Sequence, residues 1–138
     1  MSVKLAIPMI WCLAAAVLLR LMSAWDSLPD RVAVHFGLKM QPNGWSSKRT
    51  LVALVVVAVV GHAALATWLL LHIGFLGPMF PLTQMVTSVV LVCSFWQVIN
   101  YNAEGTPFRA SWVLGPVVLL LVLAGAFALN LTSQVHGR

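Results

Sequence analysis

Apolar and polar positions divide the chain into four long apolar runs and one long polar interval. The first run extends from Leu5 to Trp25 and is interrupted only by Arg20. The second, Thr50 to Ile73, holds no formally charged residue, and the third, Leu82 to Tyr101, carries Gln84, Thr87, Ser94, Gln97 and Tyr101. At about 100° per residue these five polar positions fall on one side of a helix, a side expected to face protein rather than lipid. The fourth run opens on Thr106-Pro107, an N-cap followed by proline at the first helical position, and continues to Leu131. Gly115-Pro116 predicts a kink in it, and Ala124 with Ala128 a close helix approach.

A span needs about 20 apolar residues, which each run supplies. The pattern therefore predicts an all-α integral membrane protein, a single domain over 1–138 with four transmembrane helices near 5–25, 50–73, 82–101 and 107–131. The glycines and prolines between Gly74 and Pro81 end the second helix and make the third its antiparallel neighbour. Lys4 ahead of the first run resembles the start of a signal peptide, but Met22-Ser23-Ala24 is a poor cleavage site, so this segment reads as an uncleaved helix.

The polar interval, 26–49, lies between the first two helices. Val32, Val34 and Phe36 alternate with Ala33 and His35, as in a short extended segment with one apolar face. Asn43-Gly44 is a tight-turn signal. The interval is thus expected to be an ordered capping loop on the bundle.

Composition agrees with this reading. Hydrophobic residues make up 61% of the 138 and charged residues 8%, against about a quarter charged in a soluble domain. The net charge of +5 does not point to nucleic acid, because the basic residues sit at the ends of apolar runs with no basic stripe or recognition motif. They act as topology signals. Arg31, Lys39, Lys48, Arg49 and Arg109, with Arg20 nearby, fall on one side of a four-span arrangement, and Lys4 and Arg138 on the other. The positive-inside rule then places loops 26–49 and 102–109 in the cytoplasm. Trp25, Trp45, Tyr101 and Trp112 mark the headgroup level on that face, and Trp11 and Trp68 the opposite one. Cys12 and Cys93 lie apart inside apolar runs, as buried thiols do.

Several unusual positions of the capping loop agree with a known pattern. Leu28-Pro29, His35-Phe36, Asn43-Gly44-Trp45 and Ser47-Lys48 occur in order. They resemble a bacterial membrane family of unknown function that forms the N-terminal part of immunity proteins against the sporulation-delaying toxin. With the flanking helices, the likeness covers roughly residues 5–70. The pattern often has proline two residues before the histidine, asparagine two after it and glycine five after it, where this chain has Ala33, Gly37 and Met40. The resemblance implies a bacterial cytoplasmic membrane protein in which His35, Phe36, Asn43, Gly44, Trp45, Ser47 and Lys48 organise the loop or contact a ligand.

The residues themselves allow a limited chemistry. An imidazole donates, accepts or changes charge near neutral pH, so His35 is read as bonding the loop to backbone or to Ser47, or as recognising a ligand. No histidine, cysteine or carboxylate stands at metal-ligand spacing from it, and neither metal nor cofactor is expected. Ser46 or Ser47 can cap the second helix. Lys48 and Arg49 in its first turn oppose the helix dipole unless an anion sits there; a lipid phosphate suits that place, and a plain border charge pair is the alternative. Arg20 is an intramembrane charge, either snorkelling to the headgroups or turned inward to Asp26, Asp30 or Glu104. Three acids in the whole chain are too few for a carboxylate relay across a membrane.

These features favour a non-enzymatic membrane binding or sensing protein that recognises a peptide, lipid or partner helix. Its partners are then the bilayer, including anionic lipids, and a peptide or membrane protein. A structural or accessory subunit of a larger membrane complex is the alternative, and a small oligomeric transporter a weaker one.

Overall fold

The computed structural model describes residues 2–37, 39–73 and 79–109, with isolated positions as far as 122. In chain order the elements are helix α1 (Val3–Ser23), a short 3-10 turn (Trp25–Ser27), strand β1 (Arg31–Phe36), strand β2 (Pro42–Ser47), helix α2 (Lys48–Ile73) and helix α3 (Met79–Glu104). All three helices are long and apolar enough to cross a membrane, with mean hydropathies of 2.1, 2.3 and 1.6 in turn. The chain has the make-up of a helical membrane protein. The helix expected over 107–131, with its Gly115-Pro116 kink and its Ala124/Ala128 pair, lies outside the described residues apart from isolated positions.

Helix α1 packs against both α2 and α3, more extensively than those two pack on each other. It buries Ala6, Ile10, Ala14, Val17 and Leu21, a spacing of three and four residues that forms one stripe. The stripe on α2 is Leu51, Val55, Val59, Ala63, Ala66 and Leu70. Lipid tails are as apolar as these side chains, so packing rather than expulsion from water holds the helices together, and the alanines let the backbones approach. Leu19, Met22, Val57, Leu65 and Leu71 point outward, as lipid-facing positions do.

Helix ends follow local chemistry. Ser2 caps α1, its hydroxyl accepting from the Lys4 amide. Ser47 caps α2, its Oγ accepting from the Thr50 amide at 3.1 Å. Pro81 falls in the first turn of α3, where the missing N–H has no intrahelical partner to lose. That helix therefore begins at Met79, ahead of the expected start at 82. It also runs past Tyr101 to Glu104, where Gly105 takes a φ of +68° and returns its amide to the Tyr101 carbonyl at 3.0 Å, a glycine C-cap. Residues 102–104, expected in a loop, are thus helical. Residues 105–109 are not helical, so Thr106-Pro107 does not start a helix as expected.

The cap is a β-hairpin, which amends the all-α expectation. Arg31 pairs with Ser47, Val32 with Ser46, Ala33 with Trp45, His35 with Gly44 and Phe36 with Pro42, in antiparallel register with irregularities on either side of His35. The expected alternation fails at Ala33, which is fully buried alongside Val32. Asn43-Gly44 is not the turn: both residues lie within β2. The strands are closed instead by Gly37, Met40 and Gln41, the Gly37 amide donating to the Gln41 carbonyl at 2.9 Å and the Met40 amide to the Gly37 carbonyl at 2.8 Å. Gly44 serves a different need, since a Cβ there would stand 2.7 Å from the Cβ of His35.

Met40 has a φ of +56°, a conformation that costs a residue with a Cβ roughly 1–2 kcal/mol. This is the position where the resembling pattern carries glycine. Met40→Gly is expected to raise the thermal unfolding temperature in detergent, the relief of strain exceeding the added flexibility of the unfolded chain. An unchanged or lower midpoint would show that the Met40 side chain contributes more by packing than its backbone costs.

Candidate functional site

The hairpin closes one end of the bundle, and the last two turns of α3 hold it there. The amide and carbonyl of Ala33 both point away from β2, where the side chain of Asn102 meets them. Asn102 Oδ1 accepts from the Ala33 amide at 2.7 Å, and its Nδ2 donates to the Ala33 carbonyl at 2.8 Å. One side-chain amide thus occupies the place of the next strand's peptide group and satisfies an otherwise open strand edge. The same Nδ2 also donates to the Val98 carbonyl at 2.8 Å, which fixes its rotamer.

One residue before Asn102, Tyr101 meets Phe36 edge-on with ring centroids 5.0 Å apart. Phe108, in the segment that leaves α3, stacks on the same Phe36 at 4.6 Å. Phe36 is therefore clasped by α3 and by the segment after it. Gln97 directs that segment, its Oε1 accepting from the Arg109 amide at 2.7 Å. The Nε2 of Gln97 is buried with no hydrogen-bond partner among the described residues.

Arg20 faces inward, not toward the headgroups. Its Nε donates to Asn100 Oδ1 at 2.8 Å, its Nη1 to Ser23 Oγ at 3.3 Å, and its Nη2 pairs with Glu104. The Arg20 side chain is 16% exposed and that of Glu104 51%, so the pair lies at the edge of the bundle with its acid reaching out. An arginine at membrane depth is costly when unpaired, and this one spreads its donors over three partners on two helices. Of the acids named for it from the sequence, Glu104 is the partner; Asp26 and Asp30 are not.

The remaining predicted residues divide between the outer surface of the hairpin and its junction with α2. His35 and Asn43 face each other across the strands, with Nδ1 and Oδ1 2.5 Å apart. An amide oxygen only accepts, so Nδ1 is the donor in this pair. Among the described residues the His35 side chain bonds Asn43 and not the backbone or Ser47, the two partners expected for it. Ser47 instead meets Thr50, with the two hydroxyl oxygens 2.8 Å apart. Trp45 is about half exposed. Lys48 sets its Nζ 4.1 Å from the centre of the Trp25 ring and donates to the Leu28 carbonyl at 3.3 Å; Arg49 beside it is exposed. Among the described residues no group of three His, Cys, Asp or Glu comes together as a metal site.

Polar groups within the spans mostly look after themselves. Thr87, Ser88 and Ser94 donate to carbonyls four residues back on α3, a local satisfaction common for hydroxyls in helices. Bonds between helices join Trp11 to Thr67 at 3.0 Å and His62 to Ser88 at 2.9 Å.

Fold and site together define a class: a helical membrane protein whose first two spans are joined by a bundle-capping hairpin. Residues 11–59 match the family described as a domain of unknown function, DUF1648. The match takes in most of α1, the whole hairpin and the first half of α2. Neither a curated protein nor a solved structure matches the chain.

Sequence reasoning missed Asn100 and Asn102. The signal available was the polar cluster Asn100-Tyr101-Asn102-Ala103-Glu104 closing an apolar run on the face that carries the cap. Asn102→Ala should leave the Ala33 amide and carbonyl buried without partners, at about 1–3 kcal/mol for each. The expected result is a lowered unfolding midpoint in detergent and loss of hydrogen-exchange protection at the Ala33 amide. Asn102→Asp retains the acceptor and should preserve that protection in part; equal protection in all three proteins would remove Asn102 from this role.

Proposed function

We propose that this chain is a non-enzymatic membrane binding or sensing protein, which recognises a peptide or partner helix through the outer surface of its hairpin. The observation that carries the reading is the combination of an anchored strand and an exposed recognition surface. Asn102 holds β1 to α3, while Arg31, His35, Asn43 and Trp45 remain exposed. Holding the loop rigid reduces the ordering cost that recognition would otherwise carry. The Asn43 bond orients the His35 ring, and exposed tryptophan and arginine are the side chains that most often dominate binding energy. Beside them lies a hollow of about 280 Å³ between hairpin and α3, with Val34, Phe36, Met40 and Val98 in its wall, large enough for an apolar side chain of a partner.

The resemblance to the toxin-immunity proteins supports a peptide toxin as the ligand, and the family match over 11–59 covers the hairpin that would receive it. In this reading the protein resides in a bacterial cytoplasmic membrane with the hairpin and the 105–109 segment on the cytoplasmic side, following the positive-inside rule.

Two measurements test these statements. Expression of the chain should protect membranes against a sporulation-delaying peptide toxin, and the double substitution His35→Ala, Trp45→Ala should abolish protection with the detergent unfolding midpoint within a few degrees of wild type. Protection that survives it would sink recognition by this surface, and capture of a fixed-stoichiometry membrane complex insensitive to it would favour an accessory subunit. For orientation, Gln41→Cys in a Cys12→Ala, Cys93→Ala background should react with a membrane-impermeant thiol reagent only after the cells are opened. Labelling of intact cells would place the hairpin outside.

A further inference from the structure

Two hollows on the outer face of α1 and α2 meet at Trp25. The lower one, about 500 Å³, is a groove between the helices walled by Leu18, Leu21, Met22, Val52 and Val56, with Trp25 and Asp26 at its mouth. The upper one, about 380 Å³, is polar and is bounded by Trp25, Asp30, Ser47, Lys48 and Arg49. An apolar groove and a polar hollow that share Trp25 as a wall have the form of a single phospholipid site, acyl chain on one side of the ring and headgroup on the other.

The charges in the upper hollow decide which headgroup suits it. Lys48 and Arg49 bring two cations, which alone would favour an anionic lipid. Asp30 stands in the same wall, and Asp26 lies just below. Among the described residues neither aspartate forms a salt bridge, the ion pair there being that of Arg20 with Glu104. Lys48 uses its ammonium on the Leu28 carbonyl and the Trp25 face, which leaves further N–H donors on a group that has three. The hollow therefore offers cationic donors and a carboxylate side by side.

We propose that this surface binds a zwitterionic aminophospholipid of the phosphatidylethanolamine class. Its phosphate is held by Lys48 and Arg49, its primary ammonium by Asp30, and one acyl chain lies in the α1–α2 groove. A primary ammonium donates hydrogen bonds to a carboxylate, and charge-assisted bonds of this kind are the strong ones; the trimethylammonium of phosphatidylcholine carries the same charge with no N–H to donate. An anionic phosphatidylglycerol headgroup satisfies the cations and is repelled by Asp30. The inference rests on the membrane reading of the helices and is independent of recognition through the outer surface of the hairpin.

The test is lipid retention by the full chain in native mass spectra, after release from nanodiscs holding phosphatidylethanolamine, phosphatidylcholine and phosphatidylglycerol in equal amounts. Retention of phosphatidylethanolamine should exceed that of either competitor by about two- to fivefold, the range that an exposed ion pair supplies. Asp30→Asn should erase the preference over phosphatidylcholine and Asp30→Glu should restore it. Lys48→Ala with Arg49→Ala should lower retention of all three lipids, and Val56→Trp, which fills the groove, should do the same without changing the headgroup order. Equal retention of phosphatidylethanolamine and phosphatidylcholine by the wild-type chain would overturn the proposal, as would preferential retention of phosphatidylglycerol. Toxin protection is read separately, so failure of either idea leaves the other standing.

Discussion

A two-stranded hairpin has two open edges, and in isolation is at best marginally stable in water. This one is held because Asn102 presents an amide to the edge of β1 in the geometry of a third strand. Much of the arrangement above the bundle depends on that contact. It brings Phe36 between Tyr101 and Phe108 and fixes the surface on which His35 and Asn43 meet. The full burial of Ala33 goes with it, for the strand lies directly against a helix side chain that grips its backbone.

The same two turns of α3 settle the charge of Arg20. An extra helical turn, closed by Gly105, carries Glu104 to the arginine, and Asn100 meets it one turn earlier. Asn100, Tyr101, Asn102 and Glu104 therefore tie α3 to α1 and to the hairpin at once. The matched region, 11–59, contains the hairpin and Arg20 but not α3. The side chains that pair with this matched stretch come from beyond it.

Some of the candidate site was legible in the sequence. The ordered loop and the extended segment of β1 are legible because the alternation of Val32, Val34 and Phe36 is a local signal. Ser47 was legible as a helix cap for the same reason. Register was not. Asn43-Gly44 has the composition of a tight turn, yet the irregularities around His35 place both residues within a strand, where the lack of a side chain on Gly44 admits His35. Propensity describes what a dipeptide tolerates; the pairing partner decides which tolerance is used.

The sequence by itself determined the class of this protein. Runs of about 20 apolar residues with scarce charge have few alternatives to membrane spans, and the polar interval between the first two has to lie at a membrane surface. Tertiary structure decided what the scattered polar residues do. Whether Arg20 reaches headgroups or Glu104, whether Asn102 is solvated or grips a strand, and whether Asp30 stands beside Lys48 are questions of distance between segments far apart in the chain. Hydropathy, which scores each residue against solvent, carries no information about which residues meet.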